Sequence, residues 1–183
     1  MAYKVLNNVS VKDVTSSDLL SLKTDLLVIV INKNTKDKVV NQLAKDVSSH
    51  LKESGSSVLV PNAKSFNAKN VLLVKGFQES DQIHKLISMY QSIAQKGNKL
   101  KAKDISIMPG TVYPKGKCEM WLIEMVAKTI ESNVYIFSET CNKTAKKPSV
   151  KKLNILVSSL TKSDVIKAKN AAKKGYAIGE GVN

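Results

Sequence analysis

Two stretches of the chain are apolar almost without a break: Thr24–Ile31 (TDLLVIVI) and Asn70–Lys75 (NVLLVK). Runs of this length, rich in β-branched and aliphatic residues, predict strands covered on both faces. Leu153–Val157 reads as a third buried strand and Asp104–Met108 (DISIM) as a fourth, the latter closed by Pro109-Gly110. Ser57–Val60 is a short strand ended by Pro61-Asn62, and Tyr3–Val11 alternates loosely enough to be an edge strand. Asp18–Leu22 reads only as a lead into Thr24–Ile31.

Between the strands the apolar period lengthens to that of a helix. Val40, Leu43, Val47 and Leu51 predict a helix over Asp37–Glu53, stopped by Gly55. Ile83, Leu86, Ile87, Tyr90 and Ala94 predict another, started by Ser80 or Asp81 and broken at Gly97-Asn98. After a loop with Tyr113-Pro114 and Gly116, Leu122, Met125, Val126 and Thr129 mark a third. The last helix follows a Ser-Ser turn, with Thr161 or Ser163 as N-cap and Asp164 in the first turn. Its face is Val165, Ala168, Ala172 and Tyr176, and Gly175, Gly179 and Gly181 thin the side chains so that another backbone can pack closely. No stop signal closes it, and the expectation is a sequence that continues into something larger.

Strands that alternate with helices of about four turns predict an α/β fold, a sheet with helices on both faces. The short loop between Ser57–Val60 and Asn70–Lys75 adds an antiparallel step and makes the sheet mixed. Residues 1–150 form the main body and residues 151–183 a closing strand and long helix. No internal repeat and no low-complexity tract is present.

At 183 residues, 43% hydrophobic and 24% charged, the chain has the balance of a water-soluble globular domain with a real core. No apolar run approaches the roughly 20 residues that span a bilayer, and the first residues lack a secretory signal's apolar segment. Without a signal, Cys118 and Cys141 read as free thiols and the cytoplasm as the compartment. No membrane partner is expected.

Charge changes the picture more. All 29 basic residues are Lys, none Arg, against 15 acids, a net charge of +14. Met1–Val60 is nearly balanced, whereas Lys96–Lys117 holds six Lys to one acid and Cys141–Lys174 ten to one. Such a field draws nucleic acid or acidic surfaces, and lysines without arginine suit sequence-blind DNA contact at most. The candidates are Lys143, Lys146, Lys147, Lys151 and Lys152 on the connector, with Lys162, Lys169 and Lys173 within a narrow arc of the last helix. The plainer reading is a solvated face, or one turned toward a further domain.

Catalytic constellations are scarce. His50 and His84 each fall on a predicted helix without a second ligand at i, i+4. Cys118 lies near a helix N-terminus but has no base linked to it by any signature. Asp13, Asp18 and Asp25 flank strands without pairing as acid and base, and Glu119, Glu124 and Glu131 read as solvent-facing. The glycines of GYAIGEG end a helix instead of joining a strand to one, so they are no dinucleotide fingerprint.

Three stretches together resemble the amino-terminal domain of the cytosol (leucyl) aminopeptidase family: Glu53–Gly76 (ESGSSVLVPNAKSFNAKNVLLVKG), Trp121–Phe137 (WLIEMVAKTIESNVYIF) and Ala171–Asn183 (AAKKGYAIGEGVN). The resemblance covers nearly the whole chain and rests on the order and spacing of the pieces. It implies a macro-domain-like three-layer fold, a mixed sheet between helices. It also implies a parent exopeptidase that removes amino-terminal residues, with two divalent cations (Zn, Mn or Mg) held by a separate catalytic domain. No catalytic or metal residue of that family falls on any position here, so no cofactor is expected in this chain. The domain would serve assembly of a hexamer and access to the active sites, with Tyr176, Gly179 and Gly181 in the link to its own catalytic domain. A macro-like fold raises one alternative, ADP-ribose binding. It needs a Gly-rich loop after a strand, and Asn32-Lys33-Asn34, Gly76-Phe77 and Pro109-Gly110-Thr111 offer no glycine cluster.

Overall fold

The computed structural model describes residues 8–32, 38–79, 81–134, 149–158 and 161–182. Six strands form one sheet: β1 (Asn8–Asp13), β2 (Leu26–Ile31), β3 (Ser57–Pro61), β4 (Asn70–Lys75), β5 (Asp104–Met108) and β6 (Lys152–Val157), in the order β1-β6-β5-β2-β4-β3. Every pairing is parallel except β3–β4, which is antiparallel, so the sheet is mixed as the short loop implied. The helices are α1 (Ser16–Ser21), α2 (Lys38–Asp46), α3 (Ile83–Lys99), α4 (Glu119–Val134) and α5 (Lys162–Val182). They lie on both faces, giving a three-layer α/β/α arrangement.

β2 shows why its sequence is continuously apolar. Leu26, Val28 and Val30 join the core beneath α3, α4 and α5, whereas Leu27 and Ile29 join a second core with Leu19 of α1 and Val40 of α2. Successive side chains of a strand point to opposite faces, so a strand buried on both needs apolar residues at every position. β6 is equally internal, paired with β1 on one side and β5 on the other. The closing strand and helix are therefore built into the domain.

Several elements differ from the sequence reading. α1 was passed over because it is six residues long; Thr15 starts it with a capping box in which Thr15 and Asp18 exchange side-chain and backbone bonds. α2 ends at Asp46, and His50 lies on a single 3-10 turn at Ser48–His50 instead of an α-helix. Gly97 does not break α3. It sits inside the helix where a Cβ would come 2.6 Å from Cδ1 of Ile105, so it is a packing glycine. Ile83, expected inward, is 42% exposed. Of the two N-cap candidates on the last helix, Thr161 does the work: its Oγ1 accepts from the Asp164 amide (3.2 Å) and donates to the Asp164 carboxylate (2.7 Å).

α4 and α5 run side by side, both returning from the carboxyl end of a parallel strand. Ala168, Ala172, Gly175 and Gly179 make a stripe of small residues on α5. A Cβ on Gly175 would lie 2.0 Å from the Glu124 carbonyl oxygen, and one on Gly179 would lie 2.8 Å from that of Lys128. The backbone that the glycines admit is thus α4. Because α4 is flanked by both α3 and α5, Glu131 is only 1% exposed and lies under Gly179, contrary to its reading as solvent-facing. Glu119 and Glu124 are half-buried, the latter paired with Lys174 at 3.1 Å.

Gly175→Ala drives a methyl into backbone that cannot rotate away, and is expected to cost about 1–3 kcal/mol. Gly181→Ala meets nothing within 4 Å and should be neutral or stabilising by at most about 1 kcal/mol. Urea midpoints of the two variants test the close approach; equal midpoints would mean that α4 and α5 are not in contact there.

Candidate functional site

A ligand of an open α/β sheet ordinarily binds outside the carboxyl ends of the strands, where the chain turns opposite ways from neighbouring strands. Here that point lies between β2, whose next partner is β4, and β5, whose next partner is β6. It is filled. The Asn32 carboxamide lies 1.7 Å from where a Cβ on Gly76 would be and 2.9 Å from the same position on Gly110. Its Nδ2 donates to Ile31 O and its Oδ1 accepts from Val112 N, both at 3.1 Å. The Gly76 amide donates to Ile31 O at 2.8 Å, tying β4 to β2 at the same level. Below lies fully buried Tyr90, whose pKa burial pushes up. Gly76 and Gly110 thus make room for a side chain of the protein itself.

The opposite, amino-terminal end of the strands is open and basic. Lys69 immediately precedes β4 and Lys103 precedes β5, Lys151 and Lys152 lie at the start of β6, and Lys23 is three residues before β2. The amides of Lys151 and Lys152 both donate to Lys103 O, at 2.8 and 3.3 Å. Asp25 accepts from the Lys103 amide at 2.8 Å and pairs with Lys69 at 2.5 Å. The Lys69 ammonium beside it holds the Asp25 carboxyl below the usual carboxylate range, helped by the Lys103 amide and opposed by burial. Lys23, Thr24, Asp25, Asn67, Lys69 and Asp104 surround one shallow recess.

The lysines singled out in the sequence do not share one surface. Lys151 and Lys152 belong to this end, whereas Lys162 begins α5 at the carboxyl end of β6, and Lys169 and Lys173 lie exposed along α5. Lys143, Lys146, Lys147 and Cys141 are outside the described residues. Sequence reading missed Lys23, Lys69, Lys101 and Lys103. The available signal was a lysine just before several predicted strands, which parallel pairing gathers at one end.

Of the residues assigned to a link, Gly179 is packed on α4, Gly181 faces open space, and Tyr176 is half-buried, its pKa pushed up to about 12 by burial and by Glu131 and Glu180. A groove of about 520 Å³ runs between α3 and the turn before β3, with Lys52, Glu53, Asp81, His84 and Lys85 along it. Asp81 there accepts from the Gln78 amide at 2.8 Å and from Lys85 at 3.3 Å. Among the described residues no three His, Cys, Asp or Glu side chains gather as metal donors, and no helix is long and apolar enough to cross a membrane. Cys118 is exposed.

No protein-family model and no curated protein matches the sequence. The fold does match solved structures. A mutant of tomato leucine aminopeptidase is 19% identical with a TM-score of 0.62, over 93% of this chain and 36% of that one. The bottromycin maturation enzyme BotP, in complex with Mn, is 14% identical with a TM-score of 0.56, over 86% and 30%. The Trypanosoma brucei macrodomain in complex with ADP-ribose is 12% identical with a TM-score of 0.62, over 96% and 71%. This chain has the macrodomain fold, and it spans about a third of the two enzymes it matches.

A carboxyl whose folded pKa is depressed adds stability above its unfolded value, near 3.9, and loses it as pH falls through the folded value. Asp25→Asn should therefore flatten the acid limb of the stability curve. The check is the urea midpoint at about pH 6 and about pH 2, where the wild type should lose more than the variant. Equal losses would show that Asp25 is not held charged by Lys69.

Proposed function

We propose that this chain is the non-catalytic amino-terminal domain of a leucyl aminopeptidase. Its parent would remove amino-terminal residues with two divalent cations in a catalytic domain beyond the residues described. In that setting the domain supports the hexamer and shapes access to the active sites, and α5 carries the link through Tyr176 and Gly181.

The observation that carries this reading over the nucleotide-binding one is the closed switch point. A diphosphate would have to occupy the space between β2 and β5 that the Asn32 carboxamide fills while bonded to Ile31 and Val112. Displacing it would break both of these bonds and leave the half-buried Val112 amide without this partner, whereas Ile31 O keeps the Gly76 amide. The match over 93% of this chain to part of an aminopeptidase, and the order of the three resembling stretches, supply the rest.

In its native source, an antibody to this domain should detect a chain roughly three times as long, in proportion to the share of the aminopeptidase matched. The purified 183-residue chain should not hydrolyse leucine p-nitroanilide with Zn, Mn or Mg, and should give no heat with ADP-ribose in calorimetry. A native product of 20.0 kDa would overturn the parent enzyme. Micromolar ADP-ribose binding would move the chain to the nucleotide-binding class.

A further inference from the structure

We infer that the free edge of β3 is a docking site for an extended peptide segment, added as a further strand, that carries an apolar residue and, three positions later, a carboxylate. The inference does not depend on the aminopeptidase reading.

β3 closes one side of the sheet, so its outer backbone groups have no strand beside them. The Lys75 amide donates to Ser56 O at 2.8 Å and the Asn62 amide to Lys69 O at 2.9 Å, which fixes the phase of the antiparallel ladder. Bonded residues alternate along such a ladder, so Val58 and Val60 are turned toward β4 while Ser57, Leu59 and Pro61 are turned outward. Among the described residues no other backbone group bonds to those three. Edge strands ordinarily carry charge or a proline that refuses a partner. β3, SVLVP, holds no charge, and Pro61 removes only the last outward amide while leaving its carbonyl. Leu59 is 39% exposed.

A recess flanks this edge on each face of the sheet. Toward α3 is the groove of about 520 Å³ already described, between Gly55 and the α3 residues Ser88, Met89 and Ser92. Toward α2 is one of about 330 Å³, with Leu43, Val60, Pro61 and Phe66 along it. Side chains of an added strand alternate between the two faces, as those of β3 do. In antiparallel pairing the residue opposite Val60 points toward the apolar recess beside α2. The residue three positions later, opposite Ser57, points toward α3.

Lys96 sets the chemistry of that second position. Its Nζ donates to Ser57 Oγ, it is half-buried, and none of the salt bridges among the described residues includes it. Burial, with Lys99 nearby, lowers its pKa, and a carboxylate beside it would offset both. A second copy of β3 would bring no carboxylate, because Ser57–Pro61 has none. A peptide with an acid at that position supplies it.

Anisotropy of fluorescein-labelled Thr-Leu-Val-Thr-Glu-Thr-amide, titrated with the full chain, tests this. Its Leu meets the apolar recess, its Val lies against Leu59 and its Glu faces Lys96. Saturable binding with a Kd of about 100 μM or tighter is expected. A methyl group on the Val amide, which faces Leu59 O, should weaken binding about tenfold, whereas one on the next Thr amide, which faces away, should change it less than about twofold. Leu59→Pro removes an amide that β4 does not use and should also cost about tenfold, with circular dichroism to establish that the variant folds. Replacing the peptide Glu by Lys should weaken binding by a similar factor. Equal effects of the two methyl groups would overturn strand addition, and equal binding of the Lys peptide would overturn the role of Lys96. No saturable binding at about 1 mM peptide, or a dimer of the chain in sedimentation that Leu59→Pro dissolves, would overturn the partner.

Discussion

The domain depends on the burial of β2 from both sides. Its side chains alternate between two separate cores, and five of its six residues are 3% exposed or less. Each buried leucine, isoleucine or valine is worth about 1.5–3 kcal/mol, so neither helical layer can be lost without exposing half the strand. Both ends of the sheet are arranged around that strand. Its carboxyl end leads to Asn32, and its amino end is preceded by Thr24 and Asp25, which organise the basic surface.

The two ends of the sheet are therefore chemically opposite. At one, a protein carboxamide occupies the crevice that the fold usually leaves to a ligand, and two glycines are shaped around it. At the other, carboxylates are drawn inward by backbone and hydroxyl donors while ammonium groups stay in water. The fold is shared with a macrodomain solved in complex with ADP-ribose, yet here a side chain of the protein stands at the switch point, and likeness of fold alone does not carry an activity across.

The strands and long helices were legible because their periodicities are strong: Thr24–Ile31 and Asn70–Lys75 could be little else, and the antiparallel step followed from one short loop. Local signals misled where tertiary packing overrides them. Gly97 looks like a helix break until Ile105 is seen against its Cα, and Glu131 looks like a surface acid until α5 is laid over α4. α1 is too short for a periodic signal, and only its capping box betrays it. The candidate site was harder still. Charge counted along the chain singled out Lys96–Lys117 and Cys141–Lys174, yet the lysines gathered in space come from segments up to 129 positions apart, and only strand order brings them together.

One line of side chains links β1, β6 and β5 and ends at Thr24 and Asp104, beside the entry to β2. The Ser10 hydroxyl donates to Asn154 Oδ1 (2.8 Å), Asn154 Nδ2 to Ser106 Oγ (3.0 Å), Ser106 to Thr24 Oγ1 (3.0 Å), and Thr24 to the Asp104 carboxylate. Every donor points the same way, toward the charge at the end. Ser106 is fully buried, so its hydroxyl has no water to fall back on. If β6 slipped by one residue, Leu153 or Ile155 would stand opposite Ser106 and the row would be cut, with its polar groups stranded in a dry interior. The row thus acts as a proofreading mark for strand alignment: β1, β6 and β5 satisfy it in one frame only, and a misaligned strand is penalised in polar groups as well as in apolar ones.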